Sequence, residues 1–224
     1  MTTEQEFLSH VARRLGRSPE PAPAPFRPSR PVGPVGPKGG YALADRFQQE
    51  LEKISGVVHR VKSEGEVAPL IARILKEAGA AGKPVARWAD PALDALGIDQ
   101  ALTAAGHPVV AFQTGGDGRA FVEAVEKAAA GVVACDAAIA ETGTIVMTTA
   151  LTRGRTVSLL PPLLIAVLRK EQIRYSSVDV FRALASGAMP SQVIFKSGPS
   201  RSSDIENDLS IGVHGPGALH VILI

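Results

Sequence analysis

With Cys135 as its only cysteine in 224 residues, the chain can form no internal disulfide and cannot by itself supply the thiolates of an iron–sulfur cluster. Such usage fits a reducing cytoplasm. Aromatic residues amount to 4%, a poor supply for base-stacking platforms. Neither sign of charge dominates: 24 basic residues stand against 22 acidic ones, for a formal charge of +2. Their scatter leaves no basic stripe for a phosphate backbone, which argues against a nucleic-acid partner. The longest apolar run, Leu159 to Leu168, contains Pro161 and Pro162 and is too short to span a bilayer, so no membrane partner is expected. Glu4 and Glu6 open a terminus without the apolar core of a signal peptide. There is no G-x-S-x-G elbow, and the glycines match neither the dinucleotide fingerprint nor the P-loop. His10, His59, His107 and His220 fall in helix or strand patterns without the close spacing of metal ligands. The expectation is therefore a soluble cytoplasmic protein without metal or resident cofactor.

What is present is globular: 45% of residues are hydrophobic, and the length suits one large domain with appendages. Phe7, Leu8, Val11, Ala12 and Leu15 recur at helical spacing, predicting an amphipathic helix over 1–16 that packs on its own domain or docks on a partner. Residues 17–40 hold eight of the 17 prolines, in "PEPAPAPFRPSRPVGPVGPKGG", the composition of a linker. The folded domain is expected over 41–224.

Within it, helix and strand patterns alternate. Leu43, Phe47, Leu51 and Ile54 line one helix and "VVHRV" reads as a strand; Ser63 and Glu66 fit a capping box ahead of Val67, Leu70, Ile71, Ile74 and Leu75. Asp90 and Pro91 read as a cap followed by a first-turn proline. Strands at "PVARW", "HPVVAF" and "GVVACD" complete an α/β pattern with an open, mostly parallel sheet flanked by helices. From "AAIAETGTIVMTTA" through "RTVSLL" and "LLIAVL" strands follow closely without a helix, predicting an extra antiparallel strand excursion. "SQVIFKSG" and "ALHVILI" supply later strands.

Ligands collect outside the carboxyl ends of parallel strands, so the loops there are the candidate sites. "TGGDGR", from Thr114 to Arg119, can bring amides toward an anion or be a plain turn. In "AETGT", Glu141 can act as acid or base if desolvated, while the turn amides of Thr142, Gly143 and Thr144 can hold an anionic group; a solvent-pointing hairpin turn is the alternative. In "SGPSRSSDIENDLSIGVHGP", Gly198 and Pro199 break the strand, Ser200 and Ser202 offer hydroxyls, and Arg201 offers a planar fork for carboxylate or phosphate. Asp204 begins a short turn, or it pairs with Arg201 instead. His214, between small residues next to Gly215, can titrate near neutral pH.

At "DAAIAETGTIVM", "SLLPP", "SGPSRSSDIE" and "GVHGPGALHVILI" the chain resembles the LUD-domain family, in its LutC-type lactate utilization branch. The resemblance implies a fold like that of the NagB, ribose-phosphate isomerase and CoA-transferase group. It also implies a role in bacterial oxidation of L-lactate to pyruvate beside iron–sulfur partner proteins of the LutA and LutB kind. Cluster ligands would then belong to those partners. Residues matching the family motifs are Glu141, Thr142, Gly143, Thr144, Gly198, Pro199, Ser200, Arg201, Asp204, His214, Gly215 and Pro216. Of these, Glu141, Arg201 and His214 are the candidate catalytic groups, and Thr142, Gly143, Thr144, Gly198, Pro199, Ser200, Asp204 and Gly215, with Ser202, are candidate contacts to an organic acid or phosphate-bearing molecule. Where such proteins often carry a histidine after the proline pair, this chain reads Leu163, Leu164, Ile165. The related folds also host stand-alone isomerases, acyl-CoA transferases and formyltetrahydrofolate cyclo-ligase, and a metabolite-binding regulatory module is a further reading.

Overall fold

The computed structural model describes residues 3–17, 40–112, 115, 118–187, 189–203, 209–211 and 214–224. The chain divides into two units, Met1–Gly33 and Pro34–Ile224. The first contains helix α1 (Glu4–Arg14), opened by a capping box in which the Glu6 N–H donates to Thr3 Oγ1 at 3.3 Å and the Thr3 N–H donates to Glu6 Oε2 at 2.8 Å.

The second unit begins with α2 (Gly40–Lys53), β1 (Val57–Arg60), α3 (Val67–Glu77), β2 (Val85–Arg87), α4 (Pro91–Asp94), α5 (Ile98–Ala104), β3 (Val109–Ala111), α6 (Gly118–Glu126) and β4 (Ala130–Ala134). It continues through β5 (Ala137–Ile139), β6 (Thr144–Thr148), α7 (Thr156–Leu159), β7 (Leu163–Leu168), β8 (Ile173–Arg174), α8 (Ser177–Ala185), β9 (Val193–Lys196), β10 (Arg201–Ser203), β11 (Leu209–Ile211) and β12 (Ala218–Leu223). Among the described residues no helix is long and apolar enough to cross a membrane.

The main sheet has six strands in the order β1-β12-β7-β4-β2-β3, every neighbouring pair parallel. Its central strands β4 and β7 are buried along their whole length, which explains their unbroken apolar runs: both faces are covered, so no polar residue alternates. The fold class is thus the α/β arrangement that the pattern predicts. A second sheet, β8-β5-β6-β9, holds the antiparallel excursion, with β5–β6 and β6–β9 antiparallel and β5–β8 parallel. One face contributes Ala138, Ile145, Met147 and Ile194 to the main core, and the other packs Ile139 and Val146 against Val180 of α8.

Three local expectations change. "LLIAVL" is no part of the excursion; as β7 it lies between β12 and β4 in the main sheet. A run buried on both faces has no periodicity to reveal which sheet it joins. "RTVSLL" forms the short helix α7, which the proline pair Pro161–Pro162 stops before β7 starts. The Ser63–Glu66 box is incomplete: these residues span one 3-10 turn, Glu66 accepts from the Lys62 N–H at 3.2 Å, and Ser63 makes no side-chain cap. α3 therefore begins a turn later than a capping box would place it, while its predicted stripe from Val67 to Leu75 is buried as expected.

Candidate functional site

The four segments that carry the family motifs meet at the amino edge of β7 and β12. His214 to Gly217 lead into β12, whose Ala218 N–H donates to the Pro162 carbonyl at 3.2 Å. The Ser200 N–H donates to the Pro216 carbonyl at 2.9 Å, joining the "SGPS" turn to "HGPG". β6 and β9 place Ile145 opposite Lys196; one step further, Thr144 Oγ1 lies 2.7 Å from Ser197 Oγ and 2.7 Å from Thr142 Oγ1. Segments far apart in sequence are thus brought together, on the edge opposite to the one the parallel-sheet rule favours.

Packing accounts for two of the motif glycines. Gly143 has φ 61° and lies against the backbone of Glu50 and Leu51 in α2. Gly198 has φ 79°, and a Cβ there would sit 2.7 Å from the Ile54 carbonyl oxygen. Both turns press on the end of α2 in a left-handed conformation that only glycine adopts without strain.

The polar candidates are distributed differently. Glu141 is exposed, with its N–H donating to the Tyr175 carbonyl at 3.0 Å, so the hairpin turns its carboxylate to solvent and desolvation is not provided. Thr142 is exposed and Thr144 buried, their hydroxyls satisfied within the Thr142–Thr144–Ser197 row. His214 is exposed, Gly215 half-buried and Pro216 buried; Pro199 and Ser200 are half-buried. Arg201 and Ser202 open β10, which pairs with β11 as a hairpin that sequence periodicity did not reveal. Asp204, like Thr114 and Asp117 of "TGGDGR", lies outside the described residues.

Sequence reasoning missed Lys196. It sits two residues after Ile194 on the core-facing side of β9, half-buried, and its Nζ would lie 3.6 Å from a Cβ on Gly215, beside Ser200. No ion pair to it is found among the described residues, and burial pushes its pKa below the ordinary lysine value. A lysine at an inward register position of a strand was the available signal.

The carboxyl edge carries a different arrangement. Asp90 follows β2, Asp136 follows β4, and Arg153 bridges them: its Nε donates to Asp90 Oδ2 and its Nη1 to Asp136 Oδ1, each at 2.6 Å. Asp90 Oδ1 caps α4 by accepting from the Ala92 N–H at 2.8 Å, as the sequence predicts. Asp136 Oδ2 accepts from the N–H and Oγ1 of Thr148. The guanidinium carbon stands 5.6 Å from the centre of the Trp88 ring. Burial works against the charge on Arg153, but the bonds and charges of Asp136 and Asp90 outweigh it and hold its pKa above the usual arginine value. The Cys135 thiol is pushed up by burial and by the Asp136 charge, so it stays protonated and unreactive. Beside it, between the ends of β4 and β7, is a cavity of about 80 Å³ that Arg153 and Arg169 both line.

His59 of β1 and His220 of β12, 161 residues apart, also meet, with Nε2 and Nδ1 3.0 Å apart and stacked rings. Burial lowers the pKa of both, aided by the Arg73 charge at His59 and by His59 at His220.

These features define an α/β domain with an open parallel sheet, a motif-bearing rim at its amino edge and a buried charge network at its carboxyl edge. The LUD domain family matches residues 44–224, and the chain belongs to that family. It is 34% identical over 220 residues to "Lactate utilization protein C" of Halalkalibacterium halodurans, covering 95% of this chain and 93% of the relative. Its likeness to the Bacillus subtilis protein of the same name is 29% over 231 residues, covering 99% and 95%. Among solved structures, a DUF162 family protein from Deinococcus radiodurans shares the fold with a TM-score of 0.59 at 22% identity, covering 84% of this chain and 99% of that one.

Proposed function

We propose that this protein is a LutC-type subunit of a bacterial L-lactate utilization system, working with iron–sulfur partner proteins that oxidise lactate to pyruvate and without a redox centre of its own. The observation that carries the reading is likeness to relatives named for lactate utilization over more than nine-tenths of both chains. The single, buried cysteine supports placing the clusters elsewhere.

In this reading the amino-edge rim is the working surface. Glu141 and His214 stand exposed on it and present a carboxylate and an imidazole to an organic acid or to a partner protein, with Arg201 as the third catalytic group of the proposal. Thr142, Gly143, Thr144, Gly198, Pro199, Ser200 and Gly215 shape that rim, and Ser202 and Asp204 complete the set of proposed ligand contacts. Residues 1–16 and the linker over 17–40 form an appendage to a LUD domain over 41–224, and the assembly works in the cytoplasm.

The test is genetic and biochemical. A strain lacking the gene should fail to grow on L-lactate and recover with the gene restored, and tagged protein from lactate-grown cells should bring down a protein with iron–sulfur absorption. Undiminished growth of the deletion strain on L-lactate would overturn the reading.

A further inference from the structure

Lys196 is a half-buried cation on the amino-edge rim. It closes β9, with Ile145 of β6 opposite, and its Nζ reaches the turn that carries Gly215. Among the described residues the ammonium has neither a hydrogen bond nor an ion pair, and burial alone pushes its pKa down. Among the same residues the Ser200 hydroxyl has no partner and the Gly215 N–H donates to no group. Rigid parts of the fold hold these groups in place. The Ser200 N–H donates to the Pro216 carbonyl at 2.9 Å, Ser197 Oγ lies 2.7 Å from Thr144 Oγ1, and Gly198 presses its turn on the end of α2. A Cβ on Gly215 would stand 3.6 Å from Lys196 Nζ and 3.8 Å from Ser200 Oγ. The missing side chain therefore leaves a gap flanked by an ammonium and a hydroxyl, neither of them engaged.

We propose that this gap binds a phosphate group, with Lys196 Nζ and Ser200 Oγ donating to its oxygens over the bare face of Gly215. An ammonium taken partly out of water with nothing to neutralise it is costly. Weak screening there strengthens its pull on an external anion. Phosphate suits these donors better than a carboxylate does. Lys196 is a compact charge with three N–H bonds to direct, which fits a tetrahedral dianion, whereas a planar carboxylate is matched best by a guanidinium fork. The same contacts serve free phosphate and the head of a small phosphate monoester. From the lactate reading above, only the choice of this rim as the working surface is taken.

Calorimetric titration of the full-length protein in a phosphate-free buffer at neutral pH, with inorganic phosphate, glycerol 3-phosphate and acetate, tests the site. Phosphate should bind, and acetate should bind about tenfold more weakly, the worth of one hydrogen bond to a charged donor. Tighter binding of glycerol 3-phosphate than of inorganic phosphate makes the ligand a phosphorylated small molecule, and the reverse order makes it free phosphate; either order upholds the site. Lys196→Met should weaken phosphate binding by about tenfold or more. Gly215→Ala should do the same by filling the gap. Its melting temperature should stay near the parent's, because Gly215 is outside the left-handed region and a Cβ there meets its neighbours at ordinary contact distances. Absence of phosphate binding up to about 10 mM, equal affinity for acetate, or undiminished binding by either variant would each overturn the proposal. So would a lower melting temperature of Lys196→Met in phosphate-free buffer, since it would reveal an internal counterion. A protein that restores growth on lactate yet binds no phosphate refutes the site and spares the lactate function. Lys196-dependent phosphate binding without any requirement for growth on lactate does the reverse.

Discussion

Replacing Arg153 by Met should be the most informative single change outside the rim. Asp90 has a side chain only 3% exposed, against 23% for Arg153 and 31% for Asp136. Without the guanidinium, the Asp90 carboxylate keeps, among the described residues, its cap bond from Ala92, and a charge stays buried without a counterion there. Removing one partner of a buried pair costs about 3–5 kcal/mol, and the partial exposure of Arg153 and Asp136 places this case near the lower end. For a domain of this size about 3 kcal/mol corresponds to a melting temperature lower by roughly 6–12 °C. Urea unfolding followed by circular dichroism measures it directly. Asp90→Asn retains a capping oxygen but removes the charge, so the double variant should recover at least about 1 kcal/mol relative to Arg153→Met alone. A loss below about 1 kcal/mol for Arg153→Met, or a double variant no more stable than that single one, would refute the idea that the guanidinium neutralises a buried aspartate.

Other expectations follow from particular contacts. Gly143→Ala should cost well over 2 kcal/mol, because left-handed strain of about 1–2 kcal/mol adds to a clash with the α2 backbone, whereas Gly79→Ala, at φ 66° with nothing within 4 Å, should cost only the strain; equal losses in urea would contradict this packing. His59 and His220 have folded pKa values held below 6.5, so the unfolded chain takes up protons first; their contribution is complete above pH 6.5 and is lost as pH falls through the folded values. His220→Gln should therefore make stability decline less steeply between pH 7 and pH 5, and an unaltered slope would count against the pair. Lys196 likewise has a pKa lowered from 10.5 by burial, so its charged form opposes folding at pH 7, below the window in which that contribution returns. Lys196→Met should raise the melting temperature at pH 7, and a lower one would show that the ammonium has a favourable partner.

The exposed carboxylate of Glu141 illustrates how the turns resisted reading. Its hairpin was legible from "AAIA" and "IVM" on either side of "ETGT", but the depth at which the turn sits depends on α2, whose Leu51 and Glu50 backbone crowds Gly143 from outside the hairpin. The β10–β11 hairpin escaped because "RSS" and "LSI" are too short for alternation to register. Lys196 escaped because one polar residue in an apolar run reads as a strand end until its register opposite Ile145 is known.

By itself the sequence determined the α/β alternation, the buried stripes of α2 and α3, the Asp90 cap and the family motifs, since each depends on neighbours within a few residues. Strand order was decided only in three dimensions. Periodicity says which face of an element avoids water, not which strand lies beside it, so it could not place β7 in the main sheet or assign the motif turns to its amino edge. Nor could it pair Arg153 with Asp90, or His59 with His220, because those contacts form only when parallel strands distant in the chain become neighbours.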